Sequence, residues 1–290
     1  MYKPQTFSAG DQAILLFHGL SSSPLELQMI GRGLQRAGYT VHLPHLPGYG
    51  DDGGGRRRHV SHWRDWVGKA LDEFDRLREQ HRQVVVGGLC IGAVLALHVA
   101  ALRGQEAAAV TALSTTLEYD GWSLPWYSVF LPLAGLVPLG HRYSFRERHP
   151  YGVKDARLRE WIARQMENTE SSVAGAATLN ARGLLEARRL IRETRRLLPQ
   201  VVSPTLLIHA LEDDMASPRS AEYVARHIAA QSRLVLLRDS YHMITLDQEK
   251  GKVLAEMRAF LADTIVGDQR PASHQRPASR DNVIPFTLAR

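Results

Sequence analysis

Gln83-Val84-Val85-Val86-Gly87-Gly88-Leu89-Cys90-Ile91-Gly92-Ala93 decides how this chain folds. A short strand, Gln83 to Val86, runs into two glycines, and an apolar helix follows to about Leu102. A strand that gives way to a helix over so few residues has to turn sharply. The residue at the corner, Cys90, is driven into an unfavourable backbone conformation, and the positions flanking it must be small. Gly88, Gly92 and Ala93 meet that demand. The corner aims the thiol at the cleft above the sheet and sets the Ile91 amide at a helix N-terminus, where it can stabilise an oxyanion. The competing reading is a buried structural cysteine, since free cysteine is among the most buried residue types. The strand before, the helix after and the partners described below favour a nucleophile.

Working outward, Gln12 to Phe17 is an apolar strand that stops at His18-Gly19. Ser23-Pro24-Leu25-Glu26 reads as a capping box with proline at the first helical position. Leu27, Ile30, Leu34 and Ala37 then keep one helical face until Gly38. Further strands are expected at Tyr39 to Leu43, Ala108 to Leu113, Thr205 to His209 and Leu234 to Leu237. Ser61 is expected to cap a helix with an apolar stripe from Trp63 to Leu77, Ser217-Pro218 opens another, and Thr245-x-x-Gln248 caps the last. Strands alternating with helices imply an α/β fold, a mostly parallel sheet flanked by helices. Chemistry in such sheets collects at the carboxyl ends of strands. His18-Gly19, Cys90, Glu212-Asp213-Asp214 and His242 all fall there.

The alternation breaks between residues 115 and 203, which hold no clear strand and read as a helical cap inserted into a core of residues 1–114 and 204–266. The uncharged run Gly121 to His141 is interrupted by three prolines and by Gly135, too often for a membrane span. Its Trp122, Trp126, Tyr127 and Phe130 either line an apolar substrate site or pack cap on core. Arg142, Arg146 and Arg148 follow, either solvated or facing an anionic group. From residue 267 the chain turns polar and repeats Gln-Arg-Pro-Ala-Ser, which reads as a disordered tail, 267–290, untethered on the favoured reading, with Val283-Ile284-Pro285-Phe286 as a docking motif on the alternative one.

Composition excludes several classes. Hydrophobic residues are 44% and charged residues 23% of 290, an ordinary globular mixture, and one cysteine rules out a disulfide scaffold or a multi-cysteine zinc site. No metal and no organic cofactor is expected. The net charge of +6 rests on arginine, and its one dense run, Arg56-Arg57-Arg58, reads as a solvated loop. No aromatic-interleaved basic stripe supports nucleic-acid binding; a membrane surface or an acidic substrate stays open. The first ten residues lack the apolar core of a secretory signal, so the expected compartment is the cytoplasm.

His242 comes last in chain order, in a loop after the last strand, where a general base belongs in this topology. Asp213 is the preferred acid to hold its tautomer and stabilise its cation, with Asp214 and then Glu212 as the alternatives. Gly19 lets the backbone turn so that the Leu20 amide joins that of Ile91 as a second oxyanion donor.

The motifs Leu-Leu-Phe-His-Gly-Leu (15–20), Gly-Gly-Leu-Cys-Ile-Gly-Ala (87–93), His-Ala-Leu-Glu-Asp-Asp (209–214) and Ser-Tyr-His-Met-Ile-Thr-Leu-Asp (240–247) resemble the α/β-hydrolase superfamily, most of all bacterial carboxylesterases and monoacylglycerol lipases. The resemblance spans Gln12 to Ala262 outside much of the insertion. It implies a Cys90, Asp213, His242 triad, oxyanion amides from Leu20 and Ile91, and a cap that binds an acyl chain. Three positions depart from the pattern: Cys90 stands for the usual serine, Ala210 for the glycine common before the acid, and Tyr241 for the glycine common before the histidine.

The thiol changes the chemistry. Thiolate attack on a thioester is nearly balanced, whereas attack on an alkyl ester runs uphill to the more reactive thioester. The expected function is therefore an acyl hydrolase, carboxylesterase- or thioesterase-like, acting on a small apolar ester or thioester through an acyl-cysteine. The alternatives are an acyltransferase that passes the acyl group to an alcohol or amine, and a non-catalytic binding protein on the hydrolase fold.

Overall fold

The computed structural model describes residues 3–50, 60–123, 144–146, 149–169, 171–172, 175–176, 178–265 and 283–284. The chain builds one main sheet. Its strands are β1 (Gln5–Phe7), β2 (Gln12–Phe17), β3 (Thr40–Leu43), β4 (Gln83–Leu89) and β5 (Ala107–Leu113), joined by β10 (Thr205–Ala210), β11 (Ser232–Leu237) and β12 (Val283–Ile284). Their order is β1-β3-β2-β4-β5-β10-β11-β12. From β3 to β11 all neighbours are parallel, while β1 and β12 close the two edges antiparallel. β1 has no counterpart in the sequence reading: three residues with one apolar side chain carry no periodicity, and the strand exists through its pairing of Gln5, Thr6 and Phe7 with Leu43, His42 and Val41. β12 falls in the segment whose favoured reading is an untethered tail, and pairs Ile284 and Val283 with Leu234 and Val235; the rest of the tail lies outside the described residues.

Strand side chains alternate between two apolar layers, as a period of two requires. Ala13, Leu15, Phe17, Val84 and Val86 face one layer with α2 (Trp63–Gln80) and α3 (Ile91–Arg103). Ile14, Leu16, Val85 and Leu89 face the other with α1 (Gln28–Gln35) and α7 (Lys250–Thr264). α3 is buried on almost every side, which is why its sequence reads as apolar without a stripe.

The stretch between β5 and β10 is not wholly helical. It contains two small antiparallel ribbons, β6 (Ser144–Arg146) with β9 (Thr178–Asn180) and β7 (Ser171–Ser172) with β8 (Gly175–Ala176), each too short to show a pattern in sequence. It also contains α4 (Ala156–Thr169) and α5 (Ala181–Leu197). α5 packs its Ala187, Leu190 and Ile191 into the layer of α2 and α3, so by contact it belongs with the helices that cover the sheet. α6 (Arg219–His227) follows Ser217-Pro218 as its spacing anticipates.

Local starts differ from expectation at three points. Ser23 accepts from the Leu25 N–H, but Glu26 does not reach back to it and the first turn is a 3-10 helix, Pro24–Leu27. His62 rather than Ser61 caps α2, in a capping box with Asp65. α7 begins at Lys250, and the two amides before it are held by side chains, Gln248 N–H by Asp247 and Glu249 N–H by Ser240 Oγ.

Candidate active site

At the β4–α3 corner Cys90 has φ 59° and ψ −119°, a conformation an L-residue tolerates only where its surroundings impose it. They do so by close packing. A Cβ on Gly92 would lie 2.2 Å from the Phe17 carbonyl oxygen, and one on Gly88 would lie 2.4 Å from the Gly92 carbonyl carbon. The glycines let β2 and the start of α3 touch backbone to backbone. The Cys90 thiol is partly exposed, and the Thr116 hydroxyl donates to its Sγ at 3.4 Å. The Ile91 N–H, first in α3, has no acceptor among the described residues.

His242, on the loop after β11, lines the same cleft as Cys90. It is buried, and both oxygens of Asp213 lie 2.9 Å from its Nδ1. Its backbone is anchored as well: its N–H donates to Asp214 Oδ1 at 3.2 Å and its carbonyl accepts from the Ser114 hydroxyl at 2.7 Å. Asp213 also accepts the Met215 and Ala216 N–H groups at 2.9 Å each and faces His209 Nε2 at 3.2 Å. Burial opposes ionisation of Asp213, yet the charge of His242 and the bonds from both histidines hold its carboxyl well below the usual range. Burial likewise opposes a charged His242, but Asp213 and the hydrogen-bonded Cys90 hold its proton well above the ordinary histidine range. Asp214 goes the other way, raised by burial. Of the three acids weighed from sequence, Asp213 meets the ring, Asp214 meets the backbone, and Glu212 is exposed with its side chain on Lys154.

The turn after β2 is held by four hydrogen bonds to its backbone. The Tyr49 hydroxyl donates to the His18 carbonyl at 2.6 Å, the Ser21 N–H donates to the Tyr49 carbonyl at 3.0 Å, and the Ser22 N–H donates to the Gly19 carbonyl at 3.2 Å. The Gly19 N–H donates to Glu26 Oε1 at 2.5 Å. The Leu20 N–H is left without an acceptor among the described residues. Glu26 was the residue that sequence reasoning placed in a helix cap; the structure buries it behind this turn, where Ser22 Oγ also donates to it. The only signal was an acid seven residues after Gly19, and the cap motif accounted for it.

Cys90 and His242 open onto a cleft of about 620 Å³, counting its mouth. Its walls are mainly apolar and include Leu20, Tyr119, Met166, Leu179, Leu184 and Met215. Trp122 is not among its lining residues. It is 59% exposed, donates its indole N–H to the Glu212 carbonyl at 3.1 Å and sits edge-on to Tyr241. Trp126, Tyr127, Phe130, Arg142 and Arg148 lie outside the described residues. Among the described residues no group of three or more His, Cys, Asp or Glu side chains is placed to hold a metal ion, and no helix is long and apolar enough to cross a membrane.

A parallel sheet with a sharp strand–turn–helix corner, a carboxylate–imidazole pair on later loops and unpaired amides above the corner defines an α/β-hydrolase fold. Residues 8–249 match the family described as Hydrolase_4, serine aminopeptidase, S33, and the chain belongs to that family. It is 24% identical over 254 residues to the thermostable monoacylglycerol lipase of Bacillus sp. (strain H-257), covering 87% of this chain and 91% of that one. It is 26% identical over 267 residues to a carboxylesterase of Bacillus subtilis (strain 168), covering 89% and 96%. Among solved structures, a chain from the work described as “LipS and LipT, two metagenome-derived lipolytic enzymes increase the diversity of known lipase and esterase families” gives a TM-score of 0.75 at 21% identity, covering 90% of this chain and 97% of that one. The Paleococcus ferrophilus monoacylglycerol lipase gives 0.74 at 14% identity, covering 91% and 99%.

Proposed function

We propose that this member of the Hydrolase_4 family is an acyl hydrolase that cleaves an apolar ester or thioester through an acyl-Cys90 intermediate. The observation that carries the reading is the geometry at the corner: Cys90 stands at a strained strand–helix turn, both oxygens of Asp213 lie 2.9 Å from His242 Nδ1, and Cys90 and His242 line one cleft. A serine nucleophile would need a neutral imidazole to remove its proton. A thiolate paired with imidazolium is instead the working state of a cysteine nucleophile.

The Cys90 thiolate attacks the acyl carbon, and the carbonyl electron pair moves onto oxygen, where the Leu20 and Ile91 amides receive the negative charge. As the tetrahedral species collapses, the bond to the leaving group breaks and His242 gives it a proton, releasing an alcohol or thiol. The now neutral His242 takes a proton from water, whose oxygen attacks the acyl-thioester. Collapse then releases the acid and restores the thiolate beside imidazolium. Asp213 keeps the ring oriented and stabilises its charge throughout. The apolar cleft walls, and relatives named as a monoacylglycerol lipase and a carboxylesterase, support an apolar acyl group.

The test is intact-protein mass spectrometry with a series of acyl thioesters and activated esters, following adduct and free acid over time in wild type and Cys90→Ala. Rapid release of acid that depends on Cys90 supports hydrolysis. An adduct that discharges only when an alcohol or amine is supplied makes the protein an acyltransferase. Neither adduct nor product makes it a non-catalytic binding protein.

A further inference from the structure

Glu26 is a buried carboxyl group that the relay does not use. It is 1% exposed, lines the cleft, and among the described residues has no lysine or arginine acting on it. Its two oxygens are spent on the turn after β2: Oε1 accepts the Gly19 N–H and Oε2 accepts from Ser22 Oγ. The turn is therefore held from both sides, by Tyr49 on the His18 carbonyl and by Glu26 on the Gly19 amide. Between those two anchors Leu20 N–H is the backbone donor left without an acceptor among the described residues. The corner lies close by, since a Cβ on Gly19 would be 3.4 Å from Glu26 Oε1 and 3.5 Å from Cys90 Cβ.

We propose that Glu26 is a positioning residue for the oxyanion site: by accepting the Gly19 N–H it fixes the Gly19–Leu20 peptide so that the Leu20 amide faces the reacting carbon above Cys90. This rests on the reading of Cys90 as nucleophile. The titratable groups near Glu26 are Tyr49 from the loop after β3, Cys90 at the corner and His242 from the loop after β11; His18, on the same turn, lies against the rings of His45 and Tyr49. Burial raises the Glu26 carboxyl to about 7, against the lowering effects of Ser22, Gly19 and His242, so its charge changes in the physiological range. An ionised Glu26 and a developing oxyanion would be like charges on two sides of one peptide.

The test uses octyl trifluoromethyl ketone as the probe of the oxyanion site and iodoacetamide as the probe of the thiol. The Cys90 sulfur adds to the ketone carbon and the carbonyl electron pair becomes an oxyanion, with no leaving group; alkylation by iodoacetamide displaces iodide and needs no oxyanion donor. Glu26→Leu, which leaves the Gly19 N–H without an acceptor, is expected to weaken the ketone adduct about 100-fold, the scale of one lost oxyanion donor, while alkylation stays within about twofold. Glu26→Gln keeps an acceptor for Gly19 and is expected to bind the ketone like wild type at pH 5. Between pH 5 and 9 wild type should lose affinity as Glu26 ionises, and Glu26→Gln should lack that step. Equal ketone affinity in Glu26→Leu and wild type overturns the proposal; if Glu26→Leu does not fold, superimposable pH profiles for Glu26→Gln and wild type overturn it. No ketone adduct in wild type, with alkylation as slow as that of a free thiol, overturns the nucleophile reading and this proposal with it.

Discussion

Asp213 and Asp214, adjacent in the chain, hold the same histidine by different parts: Asp213 takes the ring Nδ1 with both oxygens at 2.9 Å, and Asp214 takes the backbone N–H at 3.2 Å. Asp214 also accepts the Gly152 N–H at 3.2 Å, so it ties the loop of His242 to the stretch that leads into α4. One carboxylate sets the proton chemistry of the imidazole and the other sets where the imidazole stands.

The two roles separate on substitution. Asp213→Asn removes the charge that stabilises imidazolium and should cost about 10³-fold in turnover. Asp214→Asn keeps one of the two backbone acceptors and should cost only about tenfold, through misplacement. Steady-state kinetics of both variants on one activated ester would check the ranking; equal losses would contradict it.

On the proposed mechanism His242 sets an alkaline limit on turnover, since its proton affinity lies well above the ordinary histidine range and the leaving group takes that proton. Turnover should fall as pH rises through the folded pKa, and Asp213→Asn should move that limb to lower pH. The linked stability has the same sign: it is fully present below the unfolded pKa and is lost as pH rises through the folded one. Paired pH–rate and pH–denaturation curves test both statements.

Glu26 has the opposite effect on stability from that of an ion-paired acid. Its folded pKa is about 7 against 4.5 for the free side chain, so the folded state binds its proton more tightly. Its contribution is largest below about 4.5 and declines as pH rises to about 7, by on the order of 3 kcal/mol. Glu26→Gln escapes this decline. Its melting temperature relative to wild type should therefore rise between pH 5 and pH 8, and a constant difference would show that Glu26 does not titrate there.

Asp247 is fully buried and accepts four backbone N–H groups, from Lys154 and Tyr241 at 2.8 Å, Gln248 at 2.9 Å and Asp155 at 3.0 Å. Asp247→Ala strands these donors and should destabilise the fold by at least about 3 kcal/mol in chemical denaturation, because each buried unpaired N–H costs about 1–3 kcal/mol. A loss below 1 kcal/mol would mean that water replaces the carboxylate.

Gly92→Ala puts a methyl group 2.2 Å from the Phe17 carbonyl oxygen and 2.5 Å from that of His18. Both contacts are with backbone, so β2 must move away from the corner. The expected cost is about 3 kcal/mol, together with a loss of ketone affinity as the Leu20 and Ile91 amides part. A melting temperature equal to that of wild type would be the contrary result.

The corner at Cys90, the strands β2 to β5, β10 and β11, and the position of His242 were legible because each rests on a local rule. Small residues flank a strained turn, apolar residues alternate or recur at helical spacing, and loops at the carboxyl ends of strands carry the chemistry. Such signals lie within about ten residues of one another, so the amino-acid order alone determines them. What needed the tertiary structure was every choice between chemically equal neighbours or between distant segments. Asp213 and Asp214 are the same side chain one position apart, and only the approach of a loop from after β11 distinguishes them. Glu26 sits in a sequence that satisfies a helix cap, and its real partner, the Gly19 amide, is set by how β2 turns over the corner. Trp122 has the composition of a pocket wall but stands at the surface against Tyr241, while Met166, Leu179 and Leu184 line the cleft instead. Hydrophobicity determines that a side chain will seek cover; which surface covers it depends on contacts that form only when the whole chain has folded.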